Sequence, residues 1–202
     1  MEITKKHVAA VINNYLSTFL ESNASARIIR DRLAASGVGL RPVIDHISFR
    51  TMLVHERARE FEALGFSFDD TIGVVERDEF WYKVYRKPGF PAVLIQQAFE
   101  DARGAHSPIP AWVERFTDGQ LHHVAIAVDR LEHAVATLGE AGISFVGQIV
   151  GDSDSEFRHI YARPDVVDGL PATVLELVER HWGFTGFLSL SSPETGMSRS
   201  DA

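Results

Sequence analysis

A chain of 202 residues, 45% hydrophobic and 24% charged, is long enough to bury a core and too apolar to remain disordered. Its formal charge of −8, with no dense Lys/Arg cluster to reverse the field locally, argues against nucleic acid as a partner. Cysteine is absent, which excludes disulfides, thiolate metal sites and cysteine nucleophiles and leaves histidine and carboxylates as metal ligands.

At the N-terminus, MEITKKHVAAVINNYL carries no secretion-type apolar core, and no apolar run approaches the roughly 18 residues that cross a bilayer. A cytoplasmic protein with no membrane partner is the expectation. Val8, Val11, Tyr15, Phe19 and Leu20 fall on one helical stripe, and a second short helix is expected from about Ala26 to Ala35. An alternating β-type run follows at Val43 to Arg50, then a helix with Ala58, Phe61 and Leu64 on its apolar face, ended by Gly65. Three strands are expected near 66–75, 79–87 and 92–98, with a turn at Lys87-Pro88-Gly89. Pro108-Ile109-Pro110 marks a linker with a helical turn around Trp112. The same order then recurs. A β run at Leu121 to Val128 precedes a helix bearing Leu131, Val135 and Leu138, ended by Gly142, and strands near 143–150, 156–163 and 172–179. Trp182, Phe184 and Phe187 could serve as a lid or as packed core, and a Ser/Gly-rich, disordered end is expected beyond them.

The two halves align. Placing Asp45-His46-Ile47 over His122-His123-Val124 carries Gly65-Phe66-Ser67-Phe68 onto Gly142-Ile143-Ser144-Phe145 at the same offset. Tyr82 and Val84 then meet His159 and Tyr161, and Pro91 meets Pro171 after a short insertion, placed at Asp165 to Gly169. The expected fold class is α+β: two βαβββ modules forming an eight-stranded open metal-binding cleft, with an N-terminal helical extension. The expected divisions are an extension over 1–40, modules over 41–98 and 121–187, a linker over 99–120 and a disordered tail over 188–202.

Histidine on a strand face is costly without a partner, and the repeat puts His46 and His123 at matching places. His122 competes with His123, since alternation lets only one face the cleft. His123 is preferred because it matches His46 and heads an apolar run. Glu176 stands inside Thr173-Val174-Leu175-Glu176-Leu177-Val178, where a carboxylate needs a compensating charge unless it points to solvent from an edge strand. Two histidines and a carboxylate make the facial ligand set that favours non-haem Fe(II), with Zn, Ni, Co or Mn as alternatives. The same alignment pairs Gln96 with Glu176, making Gln96 either a neutral group near the metal or a strand-face polar residue. Ser48 and Arg50 share the face of His46. Arg50 suits either a bidentate grip on a substrate carboxylate or an internal ion pair. Of Arg158 and His159, one faces the cleft, and His159 is the candidate for substrate binding.

This organisation resembles the vicinal oxygen chelate superfamily, which includes glyoxalase I, extradiol dioxygenases, methylmalonyl-CoA epimerase and 4-hydroxyphenylpyruvate dioxygenase. Asp45-His46-Ile47-Ser48-Phe49-Arg50-Thr51 is similar to the first ligand strand of the 2-oxoadipate dioxygenase/decarboxylase family. That likeness implies His46 as a ligand and Arg50 as a carboxylate anchor. Ile160-Tyr161-Ala162-Arg163-Pro164 and Val174 to Arg180 resemble the last strands of 4-hydroxyphenylpyruvate dioxygenase, which implies Glu176 as the carboxylate ligand. The implied activity is a metal-dependent dioxygenase taking O2 and a small carboxylate-bearing substrate, with a 2-oxo acid and its oxidative decarboxylation as the candidate reaction and Arg50 and Gln96 as catalytic groups. A glyoxalase- or epimerase-like lyase or isomerase, and a non-catalytic sequestering protein, are the alternatives. A homodimer is the candidate assembly.

Overall fold

The structure, a computed structural model, describes residues 4–187. In chain order, α1 (Lys5–Ser22) and α2 (Ala24–Ala35) precede β1 (Ile44–Arg50), α3 (Val54–Ala63), β2 (Ser67–Phe68), β3 (Val74–Glu76), β4 (Phe80–Arg86) and β5 (Ala92–Ala98). Next come α4 (Ile109–Phe116), β6 (Leu121–Ala127), α5 (Leu131–Glu140), β7 (Phe145–Val150) and β8 (Phe157–Ala162). The short β9 (Val166–Val167) and β10 (Leu170–Pro171) lead into β11 (Val174–Arg180). The class is α+β, with a nine-stranded mixed sheet. The tail over 188–202 lies outside the described residues. No described helix is long and apolar enough to cross a membrane.

The chain divides into two compact units. Among the described residues, one joins 4–19 with His46–His122, and the other joins Leu20–Asp45 with 123–187. The helical extension is therefore shared out: α1 belongs to the first unit and α2 to the second.

In the first unit the strand order is β2-β4-β5-β1, with β3 also on β4. β1 and β5 run parallel, as a crossover through α3 requires. Helix α1 buries Val8, Ile12, Leu16 and Phe19, so its inward stripe is rotated by about one residue from the one read off the sequence. Its Tyr15 ring packs edge-on to Phe49 at 4.9 Å, and Phe49 meets Phe61 of α3 at 5.1 Å. The single strand expected near 66–75 is broken into β2 and β3. Asp69 accepts hydrogen bonds from Thr71 Oγ1 and Arg86 Nε, and Gly73 donates to the Asp69 carbonyl, so side chain and backbone bonds favour a turn over pairing.

The linker in this unit packs rather than merely connects. Ile109, Trp112 and Val113 of α4 form a core with Ala98 of β5. Asp118 then ties the chain back to the end of β1. It accepts from Thr51 Oγ1 at 2.7 Å and from Arg57 Nη2 at 2.9 Å. Burial opposes ionisation of Asp118, but the hydrogen bonds from Thr51 and Arg57 outweigh it and hold the carboxyl below its ordinary value. A depressed carboxyl stabilises the fold fully above the unfolded pKa of about 3.9 and loses that contribution as pH falls through the lower folded value. Asp118→Asn should therefore cost about 1 kcal/mol near neutrality, the ion pair being partly screened by solvent. Urea unfolding near pH 7 and again at about pH 3 should show the gap from the parent closing in acid.

In the second unit the order is β6-β11-β8-β7, with β6 parallel to β11 across α5. Both crossover helices end alike. Gly65 and Gly142 have φ of 82° and 95°, and the next residues, Phe66 and Ile143, donate back to Phe61 and Leu138. Helix α2 is capped by buried Asn23, whose Oδ1 accepts from Ala26 N at 2.8 Å while its Nδ2 donates to Thr173 Oγ1. The segment proposed as an insertion forms the β9–β10 hairpin, turned by Asp168 and Gly169, both with positive φ, as a two-residue hairpin turn requires.

Candidate metal centre

Register decides which side chains share a level. On the first unit, His46 lies opposite Ala92, Ser48 opposite Leu94 and Arg50 opposite Gln96. Tyr82 of β4 continues the Arg50–Gln96 row. On the second unit, His123 lies opposite Val174 and Ala125 opposite Glu176, and Tyr161 of β8 faces Glu176. The counterpart of Glu176 in the first unit is thus Leu94, not Gln96 as the sequence alignment had it. Gln96 sits two residues further along, about 6.6 Å from that level. The alignment missed this because an insertion before the last strand shifts the offset, and only strand pairing counts it.

β11 is an inner strand, between β6 and β8, so Glu176 cannot reach solvent from an edge and is 2% exposed. Its Oε2 lies 3.5 Å from His123 Nε2, and its Oε1 lies 2.9 Å from His159 Nδ1. His123 is buried, and its ring packs against Tyr161. The neighbouring His122 is also buried but stands edge-on to Trp112 at 5.5 Å. His46, on β1, is 2% exposed. His46, His123 and Glu176 each offer one ligand atom, and those atoms lie within 4.8 Å of one another. The donor set fits a divalent ion. Two imidazoles and a carboxylate are all buried, and the 3.5 Å separation approaches that of two atoms bound to one ion at about 2.1 Å each.

The candidate substrate residues of the first unit share the His46 face. Ser48 is fully buried, and its Oγ has no hydrogen-bond partner among the described residues. Arg50 is buried with its guanidinium carbon 5.8 Å from the Trp112 ring centre. Gln96 is buried beside it in register.

Arg158 and His159 take opposite sides. Arg158 pairs with Glu132 and, at 3.1 Å, with buried Glu179. The hydrogen bond to Glu132 leads the causes that raise the Arg158 pKa. His159 turns to Glu176 instead. Its ring is held between Phe157 at 5.3 Å and Tyr161 at 5.4 Å. Beyond it, Phe187 is 5% exposed against Phe157 and is core rather than lid, whereas Trp182 is 74% exposed. Two contributors escaped the sequence reading: Trp112 beside Arg50, and the contact of His159 with Glu176. The equal offset of Tyr82 and His159 marked the second position, but a diagonal contact between neighbouring strands has no signature in one sequence.

No family profile and no curated protein matches the sequence. Solved structures do match. A candidate hydrolase from Shewanella frigidimarina NCIMB 400 aligns over 94% of this chain and 99% of its own, at 18% identity and a TM-score of 0.76. A candidate glyoxalase-superfamily protein from Ralstonia eutropha JMP134 aligns over 82% and 80%, at 14% identity and a TM-score of 0.65. A mutant 4-hydroxymandelate synthase from Streptomyces coelicolor aligns over 74% of this chain and 51% of its own, at 17% identity and a TM-score of 0.56. The chain thus shares the fold of these solved structures, one of them a candidate glyoxalase-superfamily protein.

Proposed function

We propose that the protein is an Fe(II)-dependent oxygenase acting on a small carboxylate-bearing substrate, with 2-oxo acids as the leading class. The observation that carries this reading is the buried set of His46, His123 and Glu176. Two histidines and one carboxylate occupy one side of an ion and leave positions open, the arrangement suited to non-haem Fe(II). When bound, the metal would supply the redox chemistry towards O2 and polarise the substrate oxygens it holds.

The chain's own residues would bind and orient the substrate. Arg50 offers a planar fork for a carboxylate, and its burial strengthens that interaction. Ser48 stands between His46 and Arg50 on one strand face, and a buried hydroxyl left without a partner costs about 1–3 kcal/mol. A substrate oxygen accepting from Ser48 Oγ would recover that cost. Gln96, level with Arg50, would hydrogen-bond the same end of the substrate. This register weighs against the lyase version, in which Gln96 supplies a fourth ligand beside Glu176.

Protein purified without chelators should carry metal. Once reconstituted with Fe(II) under air, it should consume O2 with at least one member of a 2-oxo acid panel. Turnover under strict anaerobiosis with Zn or Mn would replace this reading with a glyoxalase- or epimerase-like reaction. Metal-free protein that still binds a carboxylate ligand would replace it with sequestration.

A further inference from the structure

We propose that His159 is a positioning residue that holds Glu176 as a one-oxygen metal ligand, an inference that rests on the metal reading above. A carboxylate only accepts, so at 2.9 Å the Nδ1 of His159 donates to Oε1. The other oxygen, Oε2, is the one on the side of His123, at 3.5 Å. The two oxygens are thereby divided, one engaged within the protein and one directed to the ligand set.

The donor is itself fixed. His159 lies on β8 opposite Val178, one level from the Glu176–Tyr161 pair, and reaches Glu176 along the diagonal. Phe157 and Tyr161 flank its ring, and Phe187 backs Phe157 at 6.1 Å. Its side chain is 15% exposed, so little water competes for the bond. The other carboxylates at this end of the unit each meet a guanidinium: Glu179 is paired with Arg158 as well as with His181, and Asp45 with Arg180. A guanidinium cancels the carboxylate charge permanently. An imidazole donor orients the group and leaves its charge available to a cation. A carboxylate bound through one oxygen also occupies one coordination position rather than two, keeping a further position open for substrate. Partners of this kind are typically worth about 10–100-fold in metal affinity.

The test compares the parent with His159→Phe, which keeps a ring but no donor, and His159→Asn, whose amide nitrogen replaces Nδ1. Chelator-stripped protein is titrated with Co(II) against a competing chelator, and the visible d–d spectrum and thermal midpoint are recorded. His159→Phe should weaken Co(II) binding by about 10–100-fold and change the intensity of the d–d bands as the second oxygen is released. His159→Asn should restore affinity and spectrum to near those of the parent. Equal affinity and identical spectra in all three proteins would overturn the inference while leaving the metal reading intact. So would equal losses in both variants accompanied by a lowered thermal midpoint, the mark of a purely structural role. A parent protein that takes up no Co(II) would remove the metal reading and this inference together.

Discussion

Glu176→Gln is expected to lower affinity for Fe(II) and Co(II) by more than about 100-fold, since even residues that only support a ligand are worth about 10–100-fold. The change keeps the side chain's shape and leaves an amide oxygen to accept from His159, while removing the only carboxylate of the candidate set. Folding should therefore persist. A metal that binds the folded state alone raises its stability by mass action, so Co(II) should raise the thermal midpoint of the parent and leave that of Glu176→Gln unmoved. Glu176→Ala should show the same loss of metal with an added packing defect, because the residue is buried between β6 and β8. Elemental analysis of protein purified without chelators gives the direct readout. Stoichiometric metal in both variants would remove Glu176 from the ligand set.

The largest stability effect is expected at Arg180, the last residue of β11. Its Nε and Nη2 grip Asp45 bidentately at 2.6 and 2.9 Å, and its Nη1 donates to the Gly186 carbonyl at 2.6 Å. The guanidinium also packs against both Phe157 and Phe187, at 4.6 and 4.9 Å from their centres. Arg180→Ala would leave the largely buried Asp45 carboxylate without its guanidinium, a loss of about 3 kcal/mol by analogy with broken buried ion pairs. Arg180→Lys keeps a charge but has no fork and no planar face, so it should recover only part of that stability. Urea denaturation of the three proteins measures the difference. Asp45 directly precedes His46, so Arg180→Ala should also weaken Co(II) binding, whereas the Asp118→Asn change should not.

How far the sequence reached depends on the range of the interaction involved. Gly65 and Gly142 were legible as helix ends because a left-handed residue after a helix is a local demand on one position. The two crossover helices and the opening strand of each module were legible from period alone. Glu176 stood out because a carboxylate within an apolar run contradicts its own neighbours, and His46 and His123 because one offset linked them. The break between β2 and β3 was missed, although Asp69, Thr71 and Gly73 are turn formers, because the apolar residues on either side, Phe66 and Phe68 before and Ile72, Val74 and Val75 after, were joined into one strand. Arg86, from another strand, adds its bond to Asp69 to the local ones from Thr71 and Gly73.

The sequence by itself thus determined the module order, the helix ends and the identity of the awkward polar residues, since each of those follows from near neighbours or from internal repetition. Tertiary structure alone decided levels and sides: that Glu176 answers to Leu94 and not Gln96, that His159 turns to Glu176 while Arg158 turns to Glu179, and that α1 and α2 part company between the units. Register and side are set by hydrogen bonds between strands far apart in the chain. A shift of a single residue there exchanges every inward side chain for an outward one.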